Sequence, residues 1–389
     1  MNKRNLIACI TFWVLCLLLL PSPDARAVSS VDTNVTTVDA VDYSSQRKTF
    51  YANGLWWVFY SNGTNIVYKT SSNESTWSSA TTVKAGCNIG YRFALHFDGT
   101  YVHYVFSTQT DNTPLLYRRG TPSGDGTITW SAAEQTAVPI STYLRYVRPT
   151  ISVDSSGYPW IGYRWRDDSG SAVLYPYVTK SSTNDGTWST AFNYQLNTTS
   201  NANWHVIPVP LTSAKVYVIY GYNTTKVKGQ LYNSGWGSEE TATTSNIASE
   251  YYTSAIAIND NVHLVFLKAT TYDIVHVIRT YGSGWGGETT VQSGTTSSSG
   301  PTLTLNSSAS NDLYCFWAGS PTAGHVYVKR YTSGAWSASP YDWFSDTLPD
   351  NNLSAFYKDD GNNRMGVAIN TGTARDRWCS STGSSSRAS

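Results

Sequence analysis

The chain has 389 residues, a formal net charge of +1 and only 14% charged side chains, against about 25% in an average soluble protein. With no basic block, electrostatics give no reason to expect nucleic acid or an anionic membrane surface as a partner. Tyr (28) and Trp (15) are abundant, Ser and Thr are frequent, and no helical periodicity is sustained, so the chain reads as all-β.

The first element is Met1 to Ala27. Basic Lys3 and Arg4 precede an uncharged apolar run from Leu6 to Leu20, then Pro21 and the small-x-small site Ala25-Arg26-Ala27. This is the layout of a secretory signal peptide, with secretion or display at the cell surface as the expected localisation. The rival reading is an uncleaved anchor, although the run is shorter than the roughly 20 residues a bilayer span needs. Removal of the leader takes Cys9 and Cys16 with it. Of the remaining cysteines, Cys315 lies in the apolar run Leu313 to Trp317 and reads as a buried strand residue, while a Cys87–Cys379 bridge is open.

From residue 28 to 380 the chain repeats one unit, best seen between Arg148 and Trp188. An alternating run (Arg148 to Val153), a turn (Asp154 to Tyr158), a second run (Pro159 to Trp165), a polar loop and a third run (Ala172 to Lys180) precede a tight turn and a Trp. Strand side chains alternate faces and Gly, Asn and Asp supply turn dihedrals, so the unit is a four-stranded meander. The Trp recurs at 77, 130, 188, 236, 285 and 336, a spacing of about 50 residues. That is the length of one blade of a β-propeller. Opening strands begin near Arg47, Arg92, Arg148, Trp204, Tyr251, Pro301 and Leu353. The expectation is a seven-bladed β-propeller of four-stranded antiparallel sheets, one domain over 28–380, with a six-bladed ring as the alternative. The last unit is short, with a third strand over Arg375 to Ser380 and a disordered tail over 381–389. Asn34 to Val41 is the candidate outer strand that closes the ring.

The turns TSSNESTW, SGDGTITW and SSTNDGTW resemble the Asp-box turns, S-x-D-x-G-x-T-W, of sialidase-like (BNR-repeat) propellers. Ser182, Asn184, Gly186, Thr187 and Trp188 come closest in chemistry but are one residue short. Ser123, Asp125, Thr129 and Trp130 have the spacing with Thr127 in the Gly position. The box is fold chemistry, polar groups capping a hairpin and Trp packing between sheets, so function must be argued from a site.

In a propeller the starts of the first strands and the loops joining second to third strands converge on one channel mouth. These positions supply Arg47, Arg92, Arg148, Trp204, Tyr251 and Tyr252, and from the loops Asp111, Arg166, Asp167, Asp168 and Asp273. Arg47, Arg92 and Arg148 could form a cradle for a carboxylate or sulfate, with Arg166, Trp204 and Tyr252 as further contacts. The sialidase resemblance implies an arginine triad on a sugar carboxylate, a Tyr nucleophile activated by Glu and an Asp acid/base. Tyr251, Glu250 and Asp167 (or Asp168) are the candidates, although neighbours on a strand would face opposite ways. The bland reading pairs each arginine with its own acid. No metal or phosphate-binding motif occurs, and no cofactor is expected. Asp359-Asp360-Gly361 lacks the spacing of a calcium loop, and the single histidines on strands read as structural. The expected partner is a glycan, held by a lectin-like propeller; a divergent exo-glycosidase and a structural adhesion module are the alternatives.

Overall fold

The structure, a computed structural model, describes residues 28–345, 353–370 and 376–382. The candidate signal peptide and residues 383–389 lie outside this range. Sheets dominate, and helix among the described residues is limited to the 3-10 turns Gly90–Arg92 and Thr190–Phe192.

The sheets are antiparallel meanders set in a ring. Their innermost strands are, in order, Thr49–Ala52, Phe93–Phe97, Leu144–Val153, His205–Pro210, Thr253–Ile258, Thr302–Asn306 and Leu353–Ala355. Six of the sheets are each folded from one unbroken stretch of chain and are numbered here as blades 1 to 6. The remaining sheet is a composite. Leu353–Ala355, Arg364–Asn370 and Asp376–Thr382 are completed by Val28–Asp32, which pairs antiparallel with Asp376–Thr382.

The expectation of seven equivalent four-stranded blades is therefore corrected: there are six contiguous blades, and the last opening strand belongs to a closing sheet built from both ends. Three blades also carry a fifth strand, Ile128–Trp130 in blade 2, Thr289–Gln292 in blade 5 and Tyr341–Ser345 in blade 6. The closing strand is not Asn34 to Val41. The Asn34 amide donates to Asp32 Oδ1 and turns the chain out of the sheet. Residues 36–40 then bond Ser61 and Asn62, at the hairpin that follows the strand Leu55–Ser61 of blade 1, and the amide of Gly90. A Cβ at Gly90 would lie 2.4 Å from the carbonyl oxygens of Asp39 and Ala40, so only glycine admits this approach. The last described strand spans Asp376–Thr382.

Blade 3 shows why the sequence folds this way. Asp154 Oδ1 accepts the amides of Ser156 and Tyr158, its Oδ2 accepts Trp160 Nε1, and Gly157 supplies a φ of +83°. The next strand, Pro159–Asp167, is covered on both sides. Ile161 and Tyr163 pack towards blade 2 and Trp160 towards blade 4, so nearly every position is apolar or tied off. Each interface between neighbouring sheets has its own cluster of buried side chains. Those flanking the composite sheet join Met365 and Val367 to Val326 and Trp343 of blade 6, and Phe356 and Ala368 to Trp56 and Val58 of blade 1.

The hairpin tryptophans are struts. Trp285 Nε1 donates to Tyr217 OH of the preceding blade, Trp336 Nε1 to His276 Nδ1, and Trp77 Nε1 to Ser29 Oγ of the composite sheet. The turn that precedes Trp188 is held by its own side chains. In blade 3 the cap is Ser181 Oγ, accepting the amides of Thr183 and Thr187, rather than Ser182. Asn184 instead reaches outside its turn to Gly157 O and Arg119. Cys87 is a free buried thiol donating to Ile89 O, and Cys315 is buried between blades 5 and 6.

Candidate functional site

The first strands all run from one mouth of the central channel, here the upper, towards the other. The segment Asp42 to Lys48, just ahead of blade 1, lies across the upper end. Gln46 Nε2 donates to Tyr91 O of blade 2 and Pro149 O of blade 3. Ser44 Oγ donates to Tyr251 O of blade 5, Thr302 Oγ1 of blade 6 donates to Ser44 O, and Ser354 Oγ of the composite sheet donates to Gln46 O. One short segment thus ties together most of the ring and plugs its axis. Within it, burial raises the Asp42 carboxyl to about 7 and lowers the Lys48 ammonium to about 7.

On this plug stands an aromatic and ionic cluster. Tyr43 stacks on Tyr251 at 4.2 Å between centroids and on Tyr91 at 5.3 Å. The Arg148 guanidinium lies 4.3 Å from the Tyr251 ring centre, 5.0 Å from Tyr43 and 5.8 Å from Tyr91. Its counter-ion is Glu250, at 2.5 Å, whose other oxygen accepts Ser249 Oγ. A second guanidinium, Arg164, lies 3.9 Å from the same Glu250 oxygen and donates to Trp204 O and Ala202 O. Burial, then the charge of Arg148, lowers Arg164 to about 9. Burial alone would lower Arg148, but Tyr43, Tyr251 and Glu250 outweigh it and leave its pKa raised. Burial also raises the Tyr251 phenol, Arg148 opposing and Glu250 adding to the shift.

Local backbone explains the convergence. Arg148 sits in an irregularity between Val147 and Thr150, with φ +53°, that swings its side chain towards the axis. Glu250 and Tyr251 belong to a turn before the strand Thr253–Ile258. Strand alternation therefore does not separate them, and the expectation that they face opposite ways is corrected.

Other sequence candidates fall elsewhere. Arg47 is 6% exposed and points into the wall, donating to Leu303 O, Ala355 O, Phe356 O, Thr302 Oγ1 and Ser254 Oγ. Arg92 ends the 3-10 turn before Phe93, and its Nε is buried without a hydrogen-bond partner among the described residues. The cradle of Arg47, Arg92 and Arg148 is therefore not formed, because Arg47 is spent on wall carbonyls and Arg148 on Glu250. Trp204 is a core residue, 2% exposed, with Nε1 on Thr199 O. Tyr252 is buried between blades 5 and 6. Arg166 is bound to Asp168, which also holds Arg145, and Arg145 in turn holds Asp111. Asp167 Oδ1 accepts the amide of Ser169 and caps its own loop, and Asp273 accepts the Thr271 hydroxyl and the amide of Gly294. These hydrogen bonds hold the loop acids to their own loops.

Sequence reasoning missed Tyr43, Gln46, Tyr91, Arg164 and His205, which borders the cluster. Burial lowers His205 to about 3, so its ring is neutral at ordinary pH. Only Tyr43 and Gln46, polar residues ahead of an opening strand, carried any signal. Among the described residues no group of three His, Cys, Asp or Glu could hold a metal. At the Asp359-Asp360-Gly361 turn the carboxylates are taken by Ser307, Ser308, Asn362 and Arg364.

No protein-family model and no curated protein matches the chain. Solved structures do. The BP39L lectin from Burkholderia pseudomallei aligns over 92% of this chain and 96% of its own, at 11% identity and a TM-score of 0.62. A PL25 polysaccharide lyase, an ulvan lyase bound to -[GlcA(1-4)Rha3S]-, aligns over 91% of this chain and 95% of its own, at 11% identity and a TM-score of 0.56. The Hadza microbial sialidase Hz136 aligns more weakly, over 82% of this chain and 73% of its own, at 10% identity and a TM-score of 0.48. At such identities the likeness to lectin and lyase is one of fold: the chain has the propeller architecture of these carbohydrate-binding and carbohydrate-cleaving proteins.

Proposed function

We propose that the protein is an exported carbohydrate-binding propeller that holds an acidic glycan at its upper mouth. The observation that carries this reading is the arginine and tyrosine cluster. Arg148 and Arg164 share a single carboxylate, Glu250, so one positive charge remains in excess beside the half-buried rings of Tyr91 and Tyr251. Planar rings can take the apolar face of a sugar, and a guanidinium fork matches a carboxylate or sulfate. The glucuronate and sulfated rhamnose in the structurally similar ulvan lyase are ligands of this class. Export rests on the leader-like Met1 to Ala27.

A sialidase-type hydrolase is the second reading, favoured by the adjacency of Tyr251 and Glu250. Two features count against it. Glu250 is held by Arg148 and Ser249, and burial keeps the Tyr251 phenol protonated rather than nucleophilic. The test is a glycan array run beside a fluorogenic sialoside. Binding of uronic-acid or sulfated glycans without sialoside turnover, lost in Arg148→Ala, supports the binding propeller. Turnover abolished by Tyr251→Phe supports the hydrolase, and an array with no binding removes the proposal.

A further inference from the structure

The lower mouth of the channel is built differently and is open. Where the first strands of blades 1 and 2 end, beside the turn after the composite sheet's inner strand, lies a cavity of about 670 Å³. That is within the range of roughly 300–1,000 Å³ found for small-molecule sites. Its wall carries the half-buried rings of Tyr51, Phe97 and Tyr357. Among these rings are two polar side chains more than nine-tenths buried. Thr49 is 4% exposed and His96 6%, and Thr49 Oγ1 and His96 Nδ1 have no hydrogen-bond partner among the described residues. Buried polar groups are nearly always satisfied, so an orphaned pair bordering a cavity asks for a ligand.

We propose that this lower mouth is a second saccharide site, independent of the upper one and specific for a neutral oligosaccharide of two or three rings. The charge of the lining sets the specificity. Three carboxylates, Asp98, Asp359 and Asp360, are balanced by three cations, Arg47, Lys358 and Arg364, the last 3.5 Å from Asp360, and the Arg47 guanidinium is already committed to wall carbonyls. An anionic sugar therefore finds no excess of positive charge here to hold it. The carboxylates are themselves engaged, Asp98 by His103 and the amides of Thr100 and Tyr101, Asp359 by Ser307 and Ser308, and Asp360 by the amide of Asn362 and the Arg364 guanidinium. That leaves the rings, Thr49 and His96 to make recognition contacts. Burial, then the charge of His103, lowers His96 to about 3, so it is a neutral imidazole at ordinary pH. A sugar hydroxyl both donates and accepts, and so can satisfy either tautomer of that ring and the threonine hydroxyl.

The experiment is isothermal titration calorimetry of the mature chain with maltotriose, cellotriose and laminaritriose, in wild type and in Arg148→Ala, Thr49→Val and His96→Phe variants. Arg148→Ala silences the upper mouth, so neutral trisaccharide binding should survive in it. Thr49→Val keeps the shape, removes an orphaned hydroxyl and should leave Tm unchanged or raised, while weakening the neutral trisaccharide about ten-fold. His96→Phe should weaken it similarly, and acidic-glycan binding should be unaffected by either variant. The proposal is overturned if none of the three trisaccharides binds, if binding is unchanged in both Thr49→Val and His96→Phe, or if it disappears in Arg148→Ala.

Discussion

The two mouths of the channel are framed by the same inner strands, yet one is plugged and cationic and the other hollow, with its charges balanced. At the upper mouth Asp42 to Lys48 fills the axis, and two guanidinium groups share one carboxylate beneath tyrosine rings. At the lower mouth the rings stand apart around about 670 Å³ of space, and the acids are bound to serines, backbone amides and histidine. A ring of similar sheets therefore does not imply similar ends. Strand starts carry turns and bulges whose side chains can converge on the axis, whereas strand ends here are followed by tight hairpins that keep their acids local.

The largest expected effect comes from the residue that separates the two ends. Arg47→Met strips donors from the carbonyls of Leu303, Ala355 and Phe356 at the seam between blade 6 and the composite sheet. Leaving such buried acceptors unmet should cost about 3–5 kcal/mol, read as a lower urea midpoint with an unchanged slope. An Arg47→Met protein as stable as wild type would mean that the seam does not rest on this side chain. Next, Glu250→Gln leaves Arg148 and Arg164 without their counter-ion. Stability should fall by about 3 kcal/mol, while affinity for a sulfated glycan rises; a fall in affinity would show that Glu250, not the arginines, makes the contact.

Acid should weaken both ends through their buried histidines. Burial lowers His96 and His205 to about 3 in the folded protein, below the free-histidine value of about 6.5. The unfolded chain therefore takes up protons first. The stability these residues contribute is complete above about pH 6.5 and is lost as pH falls towards 3. Each should cost roughly 1 kcal/mol per pH unit between about 6.5 and 3, and His96→Phe should make the slope of Tm against pH shallower. An unchanged slope in that variant would contradict a buried neutral imidazole at the lower mouth. The smallest effect is expected far from both ends: Trp285→Phe loses the bond to Tyr217 OH and should cost about 1 kcal/mol without altering saccharide binding at either mouth.

Periodicity made the ring legible. Hairpin tryptophans spaced by about 50 residues and alternating strands report contacts between near neighbours in sequence, which is where single-sequence reasoning is strong. The composite sheet was harder, because Val28–Asp32 and Asp376–Thr382 meet from opposite ends and nothing local in Asn34 to Val41 shows that Asp32 turns the chain away. The site was legible only in part. Arg47, Arg92 and Arg148 look equivalent in sequence, but Arg47 lies two residues ahead of its strand, Arg92 ends a 3-10 turn and Arg148 occupies a bulge. Equal spacing hides unequal side-chain direction. Tyr43 and Gln46 matter through contacts with residues 45 to 208 positions away, and Thr49 and His96 stand out only once their missing partners are seen.

The measurement that bears most directly on the upper mouth is a crystal structure of the mature protein soaked with a uronic-acid-containing oligosaccharide. The sugar carboxylate should lie within hydrogen-bond distance of Arg148, with a pyranose face over Tyr251 or Tyr91. Density for the saccharide at another surface, or an Arg148 to Glu250 pair left bare at saturating ligand, would contradict the account.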